Sequence, residues 1–287
     1  IWGPYEKDPE NPIVTSAPGI SNERHDPDHL KPQYYNPDSL LQKSGHGSYV
    51  ETQNGEVYLV HLTSRPFVPE LCCTLGRETA IQKMTWTKDG WLRMADGSRL
   101  AKIQVPQSNL PVCEMPGIPD HDDFDTQVLG NWYYAPRIMP QSFADVTARP
   151  GYVRLIGQES RTSLNRVSIL ARKLTSLHVR ITTKMEFHPE IYQHSAGLIL
   201  YYDNINLRKY YSQTLGQSAL SVVSLENGVK TEYVDTRTPV EDVPVYLRLY
   251  VDGRESWFEW SYDGTAYQKI GRIFHTAHFS DEFCKYG

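Results

Sequence analysis

The stretch SYVETQNGEVYLVHL, Ser48 to Leu62, has the pattern that decides the fold. Apolar and polar residues alternate on both sides of Asn54-Gly55, and such a dipeptide accepts the positive φ angles that a two-residue hairpin turn demands. The same pattern returns in IQKMTWTKDGWLRM, Ile81 to Met94, around an Asp-Gly pair. Both segments predict antiparallel hairpins. The sequence therefore predicts a protein built mainly of β-strands.

Hairpin signals continue in the second half of the chain. Asn-Gly or Asp-Gly pairs stand at residues 227–228, 252–253 and 263–264. Every second residue is apolar from Val179 to Phe187, with the exception of Thr183, and from Val245 to Val251. Strands at short intervals, without a helical period between them, favour a β-sandwich of two packed sheets. We expect no helix of ordinary length.

Length and charge limit the classes of protein that fit. A chain of 287 residues is long enough for two domains with cores of their own. A net charge of -5 provides no basic field for phosphates, which argues against a nucleic-acid partner. No run approaches the roughly 18 apolar residues of a membrane span, so we expect no membrane partner. The four cysteines fit no disulfide framework or zinc pattern, and no Asn-x-Ser/Thr acceptor occurs; both features favour an intracellular protein, although the compartment stays unknown.

Prolines divide the chain. Residues 104–120 carry prolines at 106, 111, 116 and 119 and cannot form a central strand. We predict a first domain at 1–103, a linker at 104–119 and a sandwich domain at 120–287. The first domain holds too few strands for a closed fold, and its length corresponds to about two blades of a β-propeller.

Four motifs of the first domain carry a family resemblance. They are WGPYEKDPENPIVTS at residues 2–16, SGHGSYVET at 44–52, VYLVHLTSRP at 57–66 and LGRETAIQKMTWTKDGWLRM at 75–94. In this order they resemble the family 43 glycoside hydrolases, in particular the β-xylosidase group. After the linker, DDFD at 122–125, RPGYVRL at 149–155 and AGLILYYDN at 196–204 resemble the concanavalin-type sandwich that follows the propeller in that group. The resemblance implies an all-β protein, part of a five-bladed propeller followed by a concanavalin-like β-sandwich.

The resemblance also implies a function. Members are inverting hydrolases that remove xylose or arabinofuranose units from the ends of short chains. Their catalytic base, catalytic acid and an orienting carboxylate all lie on blades upstream of the GPYE motif that opens this sequence, and no carboxylate here matches them. We therefore expect a chain that is truncated at both ends, inactive alone and completed by an N-terminal propeller segment or a companion chain. The expected substrate is a xylo- or arabino-oligosaccharide.

Three residues are candidates for the sugar site. The resemblance places Arg77 in the sugar pocket, where a planar guanidinium can hold two vicinal hydroxyls or a catalytic carboxylate. The alternative is a structural arginine paired with Glu78 or another carboxylate. Glu78 is a candidate orienting or structural residue. His46, between two glycines, is expected at the propeller axis beneath the sugar, and the alternative for it is a hydrogen-bonded structural histidine. We expect Arg77 and His46 to point into one cavity.

The remaining signals favour structural roles. The segment DHDDFD, 120–125, offers carboxylates to a hard cation such as calcium, but it lacks the glycine and ordered spacing of a calcium loop. We therefore expect no cofactor, with calcium as the alternative. His61, His121 and His194 have no partner at ligand spacing, and most tryptophans are expected in packing. Two alternatives to the enzyme remain: a non-catalytic carbohydrate-binding protein and an inactive truncated product.

Overall fold

The computed structural model describes residues 2–16, 36–160, 162–163, 165–202, 204–280 and 283–284. These residues form fourteen strands and a single 3-10 turn, Pro140–Ser142. The expectation of an all-β chain without an ordinary helix is confirmed for this part of the chain. Among the same residues, no helix has the length and apolar character needed to cross a membrane.

The first sheet contains both hairpins predicted near the amino terminus. Its strands are β1, Gln42–Glu51; β2, Val57–Ser64; β3, Glu78–Trp86; and β4, Leu92–Met94. They pair as an antiparallel meander in the order β1-β2-β3-β4. One meander of four strands is the content of one propeller blade. Length alone suggested about two; residues 17–35, which contributed to that length, lie outside the described residues.

One face of this sheet forms a small core. Val57, Leu59, Met84, Leu92 and Met94 are buried there, with Ile13 and Val14 packed against them. Alternation along β2 and β3 places these side chains on the same side, since paired residues of antiparallel strands share a face. The hairpins therefore bury one face as the alternation predicted.

The predicted linker contains no strand, and its first part lies along this sheet. The Tyr58 hydroxyl donates to the Pro106 carbonyl at 3.1 Å, and the Asn109 N–H donates to Glu56 Oε2 at 2.8 Å. These contacts satisfy a backbone carbonyl and a backbone N–H that belong to no strand.

The chain divides into two compact units, residues 1–110 with 176–287 and residues 111–175. The smaller unit contains two short paired strands, β5, Ala144–Asp145, and β6, Arg154–Leu155. Its core is built on Leu129, Phe143 and Val146. The predicted domain boundaries at residues 103 and 119 stay a prediction.

Residues 176–287 supply two four-stranded antiparallel sheets to the larger unit. One has the order β11-β10-β9-β8 and the other β14-β13-β12-β7. Their strands are β7, His178–Met185; β8, Ser195–Tyr201; β9, Asn204–Ser212; β10, Gln217–Glu226; β11, Val229–Pro239; β12, Val245–Asp252; β13, Glu255–Ser261; and β14, Gln268–His275.

The inner faces of these sheets pack as a sandwich. Leu207 and Val222 of one sheet and Leu249 and Phe258 of the other are almost fully buried. The rings of Tyr233 and Phe274, one from each sheet, meet with centroids 5.0 Å apart. The two segments with the cleanest alternation, β7 and β12, are neighbours in one sheet. The sandwich predicted for this part of the chain is confirmed.

Candidate active site

Arg77 stands at the entrance to β3. Gly76, the residue before it, has a φ of +67°, a conformation that residues other than glycine rarely adopt. The Gly76 N–H donates to the Cys73 carbonyl at 3.0 Å. This turn delivers Arg77 to the end of the sheet with its side chain exposed. Within the described part of the chain, no hydrogen bond or ion pair holds the guanidinium group. Its donors are therefore available to a ligand.

Glu78 is held by an arginine that the sequence reasoning did not single out. Arg65 Nε lies 3.1 and 3.0 Å from the two carboxylate oxygens of Glu78, and Arg65 Nη2 lies 2.7 Å from Oε1. The pair bridges the end of β2 and the start of β3, where register puts Thr63 opposite Glu78. Glu78 is paired with Arg65 and not with Arg77, so the Glu78 form of the structural alternative for Arg77 is not seen.

His46 lies on β1 with its side chain exposed and a φ of +48°. Two register shifts interrupt the pairing of β1 with β2, one between Gln42 and Gly45 and one between Gly45 and Ser48. A Cβ atom on Gly47 would lie 3.0 Å from Leu59 Cδ1, so the glycine allows the irregular strand to approach β2. The backbone around His46 therefore departs from a regular strand, as is common near functional sites.

The sheet brings His46 and Arg77 into the same region. Gly45 pairs with Leu62, and Leu62 pairs with Thr79, so the segments that carry the two residues are separated by one strand. Two strand spacings correspond to about 10 Å. Arg77 precedes Thr79 by two positions and so lies just before β3, and His46 follows Gly45 directly on β1. The shared cavity expected for the two side chains stays a prediction.

Side chains of the acidic segment at residues 120–125 form hydrogen bonds within the segment. His121 Nε2 lies 2.8 Å from Asp123 Oδ1, and the Phe124 N–H donates to Asp122 Oδ1 at 2.9 Å. Among the described residues, no group of three or more histidine, cysteine, aspartate or glutamate side chains is placed to hold a metal ion.

Other candidates have structural surroundings. His61 is buried, with Nδ1 2.9 Å from the Leu62 carbonyl and Nε2 3.2 Å from Gln82 Nε2. Trp260 is buried in the sandwich, whereas Trp257, on the opposite face of β13, stacks on Tyr250 with centroids 4.7 Å apart. These contacts agree with the packing roles expected for the tryptophans.

Carboxyl groups with a displaced pKa are found in several parts of the described chain, and in each the pKa is lowered. The causes are hydrogen bonds from cationic side chains, hydroxyls and backbone N–H groups. The groups are Asp8, Glu56, Glu70, Asp96, Asp145, Glu159, Glu226, Asp242 and Asp263. A general acid in glycoside hydrolysis needs a raised pKa, so none of these groups suits that role.

A depression of about 360 Å³ lies within residues 111–175, and none of the three candidates is among the residues that line it. Gln127, Gln141 and Asp145 contribute its polar lining. The Asp145 carboxylate accepts hydrogen bonds from the hydroxyl and N–H of Thr147, which lower its pKa. This carboxylate therefore forms hydrogen bonds within its own turn.

Comparison with known proteins identifies the family. Residues 121–287 match the model described as the β-xylosidase C-terminal concanavalin A-like domain, and residues 1–92 match the model for glycosyl hydrolases family 43. The chain belongs to glycoside hydrolase family 43. Membership of family 43 confirms the resemblance seen in the motifs and the fold class of a partial propeller followed by a concanavalin-like sandwich.

Three relatives of this family 43 chain are similar along nearly its whole length. The β-xylosidase of Bacillus subtilis (strain 168) is 32% identical over 302 residues, which cover 100% of this chain and 53% of the relative. Xylosidase/arabinosidase 43B of Humicola insolens is 32% identical over 98% of this chain and 50% of the relative. The crystal structure of xylan β-1,4-xylosidase from Bacillus halodurans C-125 matches with a TM-score of 0.85 and 36% identity, over 99% of this chain and 52% of that one. The family 43 chain thus spans about half the length of the relatives it matches.

Proposed function

We propose that this chain is the C-terminal part of an inverting, exo-acting glycosidase that removes xylose, arabinofuranose or both from xylo-oligosaccharides. The observation that carries the proposal is the exposed guanidinium of Arg77 in a segment that matches family 43, beside a Glu78 held by Arg65. The printed names of the relatives include both β-xylosidases and a xylosidase/arabinosidase. Both sugars are therefore retained as substrates.

In the proposed reaction, this chain binds and orients the sugar. Inverting hydrolysis uses a carboxylate that activates water and a carboxylic acid that protonates the departing oxygen, with the two roughly 6.5 to 9.5 Å apart. We assign both to the upstream propeller segment. Arg77 holds two vicinal hydroxyls or a catalytic carboxylate through its fixed fork of donors. His46 lies beneath the sugar, and the Arg65–Glu78 pair keeps the entrance to β3 in place. The proposal uses no cofactor.

The test uses the complete protein, meaning this chain with its upstream propeller segment, and short xylo-oligosaccharides. We expect single xylose units to leave the non-reducing end, with the α anomer of xylose appearing first in proton NMR spectra because the β linkage is inverted. Parallel assays with α-L-arabinofuranosides set the preference between the two sugars. Initial release of β-xylose would contradict inversion. Sugar binding without hydrolysis would favour a carbohydrate-binding protein, and neither binding nor hydrolysis would favour an inactive product.

A further inference from the structure

The loop between β2 and β3, residues 65–77, carries Arg77 at its end and is much longer than the two to five residues of most hairpin loops. The Arg65–Glu78 pair closes its base. Within it, the Leu71 N–H donates to the Phe67 carbonyl at 2.7 Å, and the Phe67 N–H donates to the Cys72 carbonyl at 3.0 Å. These bonds shape the loop locally but do not attach its tip to the rest of the protein.

The tip is attached by Arg254, which comes from the sandwich. Asp252 pairs with Glu255 across a two-residue turn, and Gly253 at its first central position has a φ of +60°. A positive φ at that position is typical of the type II′ turns that join antiparallel strands. The tight β12–β13 turn therefore presents Arg254 from a rigid hairpin.

Arg254 contacts three groups of the loop with one guanidinium. Its Nε lies 2.9 Å from Glu70 Oε1, and its Nη2 lies 3.3 Å from Glu70 Oε2. The same Nη2 donates to the Val68 carbonyl at 2.7 Å, and the guanidinium carbon lies 4.8 Å from the centre of the Phe67 ring. A lysine offers only a point charge, so it could not reproduce the fork and the ring contact together.

We propose that Arg254 is a positioning residue for Arg77: it fixes the β2–β3 loop from the sandwich and so holds the sugar-binding guanidinium in its working place. The importance for sugar binding depends on the function proposed above, whereas the ordering of the loop does not. A loop that samples other positions binds the sugar with an affinity lowered by the fraction of time it spends in the competent one. Once bound, the sugar reacts at the normal rate.

Hydrogen exchange measured by mass spectrometry tests the ordering on this chain directly. We expect Arg254→Ala to speed exchange of amides at residues 67–76 by about twofold to fivefold, the range set by a partly exposed ion pair. Glu70→Gln leaves the sandwich hairpin untouched and should give a smaller change in the same loop. Arg272→Ala is the matched control, because Arg272 also pairs with a carboxylate, Asp235, and also lies 4.8 Å from an aromatic ring. Unchanged exchange in the loop of both the Arg254 and Glu70 variants would overturn the proposal.

Kinetics of the complete protein test the consequence for Arg77. Arg254→Ala should raise KM measurably but by no more than the fivefold limit set for exchange, and should change kcat by less than about twofold, because only the population of the competent loop falls. The KM of Arg254→Lys should lie between the KM of the wild type and that of Arg254→Ala. Arg272→Ala should match the wild type in both KM and kcat. A fall in kcat at constant KM would overturn the positioning role. If the complete protein hydrolyses none of these sugars, the proposed function fails, and the exchange measurement still decides whether Arg254 orders the loop.

Discussion

Two neighbouring charged residues, Arg77 and Glu78, have different surroundings. Glu78 is bound by Arg65 through the three contacts that close the β2–β3 loop, whereas the Arg77 side chain extends into solvent. The motif around Arg77 was recognisable from sequence. The partner of Glu78 was not, because it depends on which residues register brings together at the two ends of a long loop.

The role of Arg77 is tested by replacing it with alanine in the complete protein. We expect kcat/KM to fall by an amount that corresponds to about 2 to 4 kcal/mol of transition-state binding, since a charged bidentate contact is lost. The free energy of unfolding should change much less, because the side chain is exposed. Arg77→Lys should lower kcat/KM less than Arg77→Ala does, because lysine keeps the charge but not the fork of donors. Arg99→Ala, which breaks an exposed pair with Glu10, is the control and should leave kcat/KM unchanged. An Arg77→Ala protein with wild-type kcat/KM would reject the role.

Glu78 is tested through the pH dependence of the rate. Deprotonation of a general acid produces the alkaline limb of the profile of kcat against pH. Because its carboxylate is tied to Arg65, we expect Glu78→Gln to keep that limb and to lower the free energy of unfolding by at most about 1 kcal/mol. Arg65→Ala and Glu78→Ala should be non-additive in unfolding experiments, as expected for direct partners. Loss of the alkaline limb in Glu78→Gln would identify Glu78 as the acid.

For the strands, sequence patterns predicted where strands lie better than they predicted where strands become irregular. Alternation around Asn54-Gly55 predicted the first hairpin, and the structure has it with strands that extend to Gln42 and Ser64. The positive φ angle at Lys43 had no local signal, because lysine rarely adopts that conformation, and the signal at His46 was weak, because histidine adopts it only in a minority of cases. Period two also assigned residues to faces but could not show that β7 and β12 share a sheet, since pairing is decided by contacts distant in sequence.

The first hairpin gives a prediction about pH. The pKa of Glu56 is lowered to about 2, first by its hydrogen bond with Lys83 and next by the Asn109 N–H. Since the folded pKa lies below the ordinary value of 4.5, these contacts stabilise the folded state fully above that value. The stabilisation is lost as the pH falls from 4.5 towards 2.

Urea unfolding of this chain at several pH values between about 2 and 6 checks the prediction. Glu56→Gln should unfold at a midpoint that depends less on pH in this window than the wild-type midpoint does. Glu51→Gln, which replaces an exposed carboxyl on the neighbouring strand, should keep the wild-type dependence. Equal slopes for Glu56→Gln and the wild type would contradict the assignment of this linkage to Glu56.

At the scale of the whole molecule, the sheet β1–β4 leaves apolar side chains exposed. Val50 is 50% exposed, Val60 37% and Ile81 45%, and register places the three on the face opposite the buried Val57 and Met84. Propeller blades bury both faces against their neighbours. The exposed face is therefore consistent with the proposed upstream segment, and we expect the chain to associate with that segment or to be poorly soluble alone.

This chain is proposed to bind the sugar, whereas the upstream segment is proposed to supply the acid and the base. Turnover of 4-nitrophenyl β-xyloside and 4-nitrophenyl α-L-arabinofuranoside by the purified chain, measured before and after the upstream propeller segment is added, tests this division of roles. We predict no rate above background for the chain alone, because hydrolysis needs both an acid and a base, and clear turnover of at least one substrate once the segment is present. Clear turnover by the chain alone that is abolished by Glu78→Gln would contradict the account.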